Sequence, residues 1–194
     1  MPEETTWSSF FDARAVMARL WPAPHGDVVE LGCGYGTFTL VAAQQTQGIV
    51  TALDIDPEMV AYVRFKAEEQ GITNIRALER DFVDSDFAVA PGSQSHVMIY
   101  NLLHIEEPVV LLRKALAALH EGGTLSVMHW RSDVPTPRGP PLAIRPTPEQ
   151  CVEWLQQAGF AHVESIDLGD CCPFHYGLIA RRGNAGKEKA PQGR

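Results

Sequence analysis

Two kinds of hydrophobic pattern alternate along most of the chain. Short, almost unbroken apolar runs are typical of strands buried on both faces of a sheet, whereas apolar positions repeating every three to four residues are typical of helices. The first pattern predicts strands at residues 27–31, 49–54, 74–79, 96–101 and 124–129. The second predicts helices at residues 9–21, 37–45, 57–71, 108–121 and 147–159.

The order of these elements predicts the fold class. Strands that alternate with helices form a parallel sheet with helices on both faces. Two further apolar runs, residues 162–168 and 176–182, are joined by a link too short for a parallel crossover, so they should pair as an antiparallel hairpin. We therefore expect an α/β, doubly wound, Rossmann-like three-layer sandwich, with a seven-stranded, mostly parallel sheet and a C-terminal antiparallel hairpin strand.

The N-terminal helix carries aromatic residues that can have either of two roles. Ser9 and Asp12 have the spacing of a capping box, and two prolines after Trp21 should end the helix. The nearby aromatic residues Trp7, Phe10 and Phe11 either belong to the core or form a lid. A lid would exclude water from a ligand site.

The length of 194 residues fits a single domain. We expect a helical cap at residues 1–24, a core at residues 27–182 and a disordered tail at residues 183–194, because the tail has almost no apolar side chains to bury. No apolar run approaches the ~18 residues that span a bilayer, and the first residues lack the pattern of a secretory signal. The sequence thus predicts a cytoplasmic protein with no membrane partner.

Charge and cysteine content narrow the possible partners. The net charge is −8, and because residues 181–194 carry +4, residues 1–180 carry −12. Such an acidic body disfavours nucleic-acid binding and favours small or cationic ligands. The four cysteines have no metal-site spacing, so we predict no metal and free thiols in a reducing compartment. Cys171 and Cys172 could form a thiolate or soft-metal site, or simply a hairpin tip.

The strongest chemical signal is a glycine-rich turn between the first strand and the next helix. Its residues are Glu30-Leu31-Gly32-Cys33-Gly34-Tyr35-Gly36, and Asp54 ends the following strand. Glycines let the backbone turn tightly and approach a ligand closely. A carboxylate at the end of the second strand lies beside the ligand crevice and can accept hydrogen bonds from both hydroxyls of a ribose.

This segment resembles the first motif of the class I S-adenosylmethionine-dependent methyltransferases, an acidic residue followed by G-x-G-x-G. The resemblance extends over most of residues 27–182, and it implies S-adenosylmethionine as cofactor and a methyl group transferred to an acceptor. The N/D-P-P-Y signature of amino-directed nucleic-acid methyltransferases is absent from the sequence, which is more similar to the small-molecule branch.

Four further segments carry the resemblance. One is residues 119–125, which resembles the L-x-x-G-G-x-L turn into the fifth strand, and the other three imply roles for named residues. Leu53-Asp54-Ile55-Asp56 resembles the second motif, which implies that Asp54 binds the ribose with Ile55 beside it. Asp81 and Phe82 resemble the third motif, which implies contacts to the adenine amino group and ring. Asn101 belongs to a segment similar to the fourth motif, which lines the reacting methyl group. With the turn, the implied cofactor-binding residues are Glu30, Gly32, Cys33, Gly34, Gly36, Asp54, Ile55, Asp81, Phe82 and Asn101.

The catalytic residues are less constrained, because a methyl transfer needs mainly alignment and exclusion of water. His104 and His129 follow the fourth strand and end the fifth, so either could act as a general base at the carboxyl edge of the sheet. Arg131, in a proline-rich loop, could bind an anionic acceptor, or it could pair with Asp133. We expect both imidazoles and Arg131 to face one cavity.

Two alternatives remain at this point. A nicotinamide-dependent oxidoreductase would share the Rossmann-like fold, but its fingerprint is G-x-G-x-x-G, and here the third glycine comes one residue early. A non-catalytic protein could keep the cofactor pocket and use it to regulate a partner. The acceptor and the oligomeric state are not specified by the sequence.

Overall fold

A computed structural model describes residues 3–183 of the chain. Apart from Gly183, the predicted tail at residues 183–194 lies outside the described residues. The strands are Val28–Leu31 (β1), Val50–Asp54 (β2), Ile75–Glu79 (β3), Gln94–Tyr100 (β4), Leu119–Trp130 (β5), Ala161–Ile166 (β6) and His175–Arg181 (β7). The helices are Glu4–Ser8 (α1), Ala13–Leu20 (α2), Thr39–Gln45 (α3), Pro57–Glu69 (α4), Pro108–Ala118 (α5) and Pro148–Ala158 (α6).

The strands form one seven-stranded sheet in the order β3-β2-β1-β4-β5-β7-β6. The pairs β1–β2, β1–β4, β2–β3 and β4–β5 are parallel, and β7 runs antiparallel to both β5 and β6. The predicted fold class, with its reversed last strand, is therefore confirmed. The strand order reverses between β1 and β4, and in open α/β sheets the ligand crevice lies at the carboxyl ends of the strands at such a point.

Alternating side chains of the buried strands supply two separate cores, one on each face of the sheet. Val29 and Leu31 of β1 pack with α5 and α6, whereas Val28 packs with α2 and α3. Val60 and Val63 place α4 on the same face as α3. This arrangement gives the three layers that the sequence predicted.

Local capping explains where several helices begin. The Asp56 side chain accepts a hydrogen bond from the backbone N–H of Glu58, and Thr147 forms a capping box with Gln150. The predicted helix at residues 9–21 is wrong at its start. Asp12, not Ser9, is the N-cap, and its carboxylate accepts from the N–H of Ala15, while α1 forms a separate short helix.

The strand β5 begins five residues before the predicted position 124. Leu119 already pairs with Gln94, and a register shift before the His96–Thr124 pair accommodates the intervening glycines. Between residues 3 and 183, no helix is long and apolar enough to cross a membrane.

Candidate active site

The glycine-rich turn lies at the carboxyl end of β1, where the strand order reverses. Gly32 and Gly36 have φ values of +73° and +75°, a region that side chains with a Cβ rarely adopt. A Cβ at Gly32 would lie 3.1 Å from Leu102, and one at Gly36 would lie 3.0 Å from Val63. Both the backbone conformation and the close packing therefore require glycine at these positions.

The turn forms one side of a cavity of about 670 Å³, which we call the cofactor cavity after the residues that the sequence predicted to bind a cofactor. This volume falls in the range of roughly 300–1,000 Å³ that is usual for small-molecule sites. Eight of the predicted cofactor residues line it: Glu30, Gly32, Cys33, Gly34, Asp54, Ile55, Phe82 and Asn101. Gly36 does not line the cavity; its N–H donates to the carbonyl oxygen of Cys33 at 2.8 Å and so stabilises the turn.

Asp54 is held in place by the turn that it faces. Its Oδ2 accepts a hydrogen bond from the N–H of Gly34 at 2.8 Å, and its Oδ1 accepts from the N–H of Asp56 at 3.0 Å. Each carboxylate oxygen has a second lone pair, so Asp54 can still accept from a ligand. Ile55 is 63% exposed at the rim of the cavity, which leaves its side chain available to cover a flat ring.

Glu30 is the buried carboxyl group of the site. Desolvation raises its pKa to about 8; the hydrogen bond that it accepts from the Thr39 hydroxyl opposes this shift, and the negative charge of Asp54 adds to it. The neutral form is thus favoured in the ligand-free protein. A cationic ligand in the cavity would favour the charged form.

Asn101 follows β4 with a left-handed φ of +58°. Its backbone N–H donates to the carbonyl oxygen of Met128 at 2.7 Å, which fixes the residue at the cavity. Within residues 3–183, neither amide atom of its buried side chain has a hydrogen-bond partner. Buried polar groups normally have partners, so this amide fits a ligand that both donates and accepts.

Asp81 and Phe82 lie after β3 and differ in position. Phe82 is buried and lines the cavity. Asp81 accepts with Oδ1 from the N–H groups of Val83 and Asp84, at 3.0 and 3.1 Å, and so stabilises the turn outside the cavity lining. The predicted contact of Asp81 with an adenine amino group stays a prediction.

The two candidate catalytic histidines contact each other. Nδ1 of His104 lies 3.2 Å from Nε2 of His129, and Nδ1 of His129 lies 3.1 Å from the carbonyl oxygen of Trp130. Burial lowers the pKa of both imidazoles, to about 4 for His129. Neither ring is among the groups that line the cofactor cavity.

The prediction that Arg131 shares one cavity with the two histidines is wrong. Arg131 lines a second cavity, and its guanidinium pairs with Asp133 through Nε at 2.9 Å and Nη2 at 2.6 Å. The indole of Trp130 occupies the position at the cofactor cavity instead. The side chains of successive residues in an extended strand point to opposite sides. Because the Trp130 side chain faces the cofactor cavity, the side chains of His129 and Arg131 point away from it.

Sequence reasoning missed the contacts that hold the proline-rich loop. Arg145 is buried and donates to the carbonyl oxygens of Pro140, Arg131 and Arg138 at 2.8, 2.9 and 3.2 Å. Its guanidinium also lies 5.8 Å from the centre of the Trp130 ring. These contacts place Arg138 and Gly139 at the cavity, and nothing in the local sequence pattern indicates them.

The N-terminal aromatic residues pack as a cap over the cavity. Trp7 lines it, and the rings of Trp7 and Phe10 lie 6.4 and 5.5 Å from Trp130 in edge-to-face contacts. Phe11 packs on Phe38 at 5.4 Å. Trp7 thus lies at the cavity, where the lid interpretation requires it, whereas Phe10 and Phe11 pack among other aromatic rings and do not line the cavity.

The adjacent cysteines are held in the β6–β7 connection. The Cys171 thiol donates to the carbonyl oxygen of Leu168 at 2.7 Å, and the buried Cys172 thiol contacts the sulfur of Met128 at 3.7 Å. Burial raises the pKa of both thiols, which disfavours the thiolate. This geometry favours the interpretation as a hairpin tip over a thiolate site.

Comparisons with known proteins agree with these observations. A methyltransferase domain model matches residues 28–123. Over 101 residues the chain is 34% identical to the ribosomal protein L11 methyltransferase of Dechloromonas aromatica, a match that covers 52% of this chain and 31% of that protein. Over 106 residues it is 29% identical to the aklanonic acid methyltransferase DauC of a Streptomyces species, which covers 51% of this chain and 46% of that protein. The chain thus spans less than half the length of the curated relatives it matches.

Solved structures share the fold over nearly the whole chain. A SAM-dependent methyltransferase from Aquifex aeolicus superposes with a TM-score of 0.75 and 19% identity, covering 89% of this chain and 90% of that one. The [4+2]-cyclase SpnF superposes with a TM-score of 0.71 and 17% identity, covering 88% and 79%. The fold is therefore common to proteins named for different reactions, so the chemistry has to be argued from the site.

Proposed function

This chain belongs to the class I S-adenosylmethionine-dependent methyltransferases, and on that premise we propose that it transfers the methyl group of S-adenosylmethionine to a small-molecule acceptor. The observation that carries the proposal is the cofactor cavity, whose lining brings together the glycine turn, Asp54 and Asn101.

The residues present fit the cofactor group by group. The carboxylate of Asp54 has acceptor capacity for two ribose hydroxyls, and the exposed side chain of Ile55 would cover the adenine. The buried Glu30 suits the positively charged methionine end, since a nearby cation favours its ionised form. When bound, the cofactor supplies a methyl group already activated by a sulfonium.

Two properties support a small acceptor. The cavity of about 670 Å³ has the size of a small-molecule site, and Trp7 and the loop that carries Arg138 and Gly139 are part of its lining. The net charge of −8 is unfavourable for binding a nucleic-acid backbone. One relative is named for a small acid and the other for a ribosomal protein, so the names alone do not decide the acceptor class.

We propose that alignment and exclusion of water drive the reaction. Trp130 and Trp7 form an apolar wall across the cavity from the glycine turn, and an acceptor between the wall and the sulfonium is held for in-line attack. His104 and His129 remain candidates for removing a proton from the acceptor, and the four free cysteines support the proposal of a reducing, cytoplasmic location.

The experiment is methyl transfer from radiolabelled S-adenosylmethionine to a cell extract separated into small-molecule, protein and nucleic-acid fractions. We expect label in the small-molecule fraction, and its loss in the Asp54→Ala variant. Label confined to protein or nucleic acid would overturn the small-acceptor proposal. Calorimetric binding of NAD(H) but of neither S-adenosylmethionine nor S-adenosylhomocysteine would overturn methyl transfer itself.

A further inference from the structure

A second cavity of about 390 Å³ lies at the same edge of the sheet as the cofactor cavity. It is formed by the loop after β5, the start of α6, the end of β6 and the start of β7. The antiparallel direction of β7 brings its first residues, His175 and Tyr176, to this edge. The two cavities share no lining residue and are separated by Trp130 and His175, whose ring centres lie 4.0 Å apart.

His175 is the unusual group of this second cavity. It is 5% exposed, and in the described part of the chain neither ring nitrogen has a hydrogen-bond partner. Burial lowers its pKa to about 3, with further lowering by the nearby His129 and Arg145, so the ring is neutral at physiological pH. A neutral imidazole has one donor and one acceptor, and leaving both unused is costly unless a ligand satisfies them.

The charges around the cavity select the kind of ligand. Three carboxylates line it, those of Asp133, Glu149 and Asp167, together with the guanidinium of Arg131. Asp133 engages Arg131 through both carboxylate oxygens. The other two acids, Glu149 and Asp167, are exposed, and Arg19 donates to the backbone carbonyl oxygen of Asp167 at 2.9 Å, which leaves the cavity with a modest excess of negative charge. Ile166 and Leu168 add an apolar surface. The cavity therefore favours a positively charged head on an apolar body.

The start of α6 does not reverse this preference. A helix N-terminus attracts anions through its free N–H groups, but here Thr147 accepts from the N–H of Gln150 at 3.2 Å. Glu149 also places a negative charge in the first turn. The helix terminus is thus already supplied with an acceptor and an anion from the chain itself.

We propose that this second cavity binds a small organic amine, with its ammonium group near Glu149 and Asp167 and its polar hydrogen atoms or lone pairs on His175. The site is independent of the cofactor cavity, and the proposal does not depend on methyl transfer. His175 lines this cavity and packs on Trp130, which lines the cofactor cavity, so an occupant would contact the ring against which Trp130 packs.

The test uses three amines and their neutral analogues as probes. Ethanolamine, isoamylamine and tyramine are titrated against the full chain by ligand-observed NMR, beside ethylene glycol, isoamyl alcohol and 4-ethylphenol. We expect at least one amine to bind about threefold to fivefold more tightly than its neutral analogue, because its ammonium can pair with the carboxylates of Glu149 and Asp167, which are both exposed, and exposed ion pairs contribute only modestly. Equal binding of amine and analogue, or no binding by any amine, would overturn the proposal.

A repeat with saturating S-adenosylhomocysteine separates the two cavities. Amine binding that persists supports the second cavity, whereas loss of binding would place the amine in the cofactor cavity and overturn the site. If S-adenosylhomocysteine itself does not bind, the proposed function fails while the amine titration still stands. Incubation of the bound amine with radiolabelled S-adenosylmethionine distinguishes an acceptor, which gains label, from an unreactive ligand.

Two variants and a control locate the site. The Asp167 side chain accepts a hydrogen bond from the N–H of Gly169 at 2.8 Å. Asp167→Asn keeps an oxygen for this bond but removes the negative charge, so we expect about three- to fivefold weaker amine binding. His175→Phe keeps the ring packing on Trp130 and Phe11 but removes the unpartnered nitrogens, so we expect a higher melting temperature together with about tenfold weaker binding. Asp170→Asn, an exposed neighbour outside the lining, should change neither. Unchanged binding in both variants would overturn the proposal.

Discussion

The side chains of His104 and His129 form a directed chain of hydrogen bonds that ends on the carbonyl oxygen of Trp130. A carbonyl oxygen only accepts, so Nδ1 of His129 carries the hydrogen and its Nε2 accepts. His104 then donates from Nδ1, and its Nε2 keeps a lone pair. If His104 is the general base, His104→Ala should reduce kcat by about 10²–10⁴-fold and leave the affinity for S-adenosylmethionine unchanged.

His129→Ala removes the acceptor that orients His104, so we expect kcat to fall in this variant as well, but by less than in His104→Ala. His120→Ala is the matched control, because the ring of His120 hydrogen-bonds to the carbonyl oxygen of the adjacent Glu121 and does not line the cavity. Full activity in both His104→Ala and His129→Ala would leave alignment alone as the origin of the rate.

Asp54 and Asp56 provide a pair of aspartates, two residues apart, with different roles. Asp54→Ala should weaken binding of S-adenosylmethionine by about 1.5–3 kcal/mol, since charge-assisted bonds to the ribose are lost. Asp56→Ala removes the cap of α4 and should lower the stability by about 0.5–2 kcal/mol with little effect on affinity. Calorimetric titration and thermal melting separate the two effects. Equal affinities in the two variants would show that Asp54 is not the ribose ligand.

Glu30 should make the stability of the cofactor-free protein depend on pH. Its pKa is raised from the ordinary value of 4.5 to about 8 in the fold, so the unfolded chain loses the proton first. The contribution of Glu30 to stability is therefore complete below about pH 4.5 and is lost progressively up to about pH 8. Thermal melts from pH 5 to 8 should show a steeper decline for the wild type than for Glu30→Gln. Parallel curves would contradict the buried neutral carboxyl.

Gly139 positions the loop over the cavity through its contact with Trp130. Its φ is +106°, and a Cβ would lie 2.9 Å from the indole and 3.1 Å from Arg145. Gly139→Ala should therefore destabilise the fold and weaken cofactor binding. Gly71→Ala is the control, because Gly71 also has a positive φ, +66°, but a Cβ there meets nothing within 4 Å. Gly71→Ala should cost only the backbone strain of about 1–2 kcal/mol and leave affinity intact. If the two variants lost the same affinity for S-adenosylmethionine, this would contradict a role of the loop at Gly139 in cofactor binding.

The sequence correctly predicted the parts of the site that lie within one strand–turn–helix–strand unit, from β1 through α3 to β2. The glycine turn and Asp54 are adjacent in this unit, and their backbone geometry follows from residue type. The contacts of Arg145 with Trp130 and of His175 with Trp130 join residues that are distant along the chain or on different strands. No periodicity reveals such contacts, because they depend on how the loops fold back over the sheet.

The wrong prediction that Arg131 shares a cavity with the two histidines also arose because the sequence does not show how the loops fold back over the sheet. Its position after β5 correctly predicted the carboxyl edge of the sheet, but the edge carries two cavities, and the direction of one side chain decides which it faces. The ion pair with Asp133, two residues away, was the local alternative, and it is the one that the structure contains.

The position of β7 between β5 and β6 also affects how the protein folds during synthesis. In the described part of the chain β6 pairs only with β7, so a nascent chain that has emerged as far as residue 166 exposes unpaired edges on both β5 and β6. Unpaired edges of this kind invite association with other chains. Insertion of β7 closes both ladders at once, and its pairing with β5 joins residues that are distant along the chain, such as Thr124 and Arg181, a type of contact that slows folding. Variants that weaken β7 should therefore lower the yield of folded protein, through aggregation during expression, more than they lower its equilibrium stability.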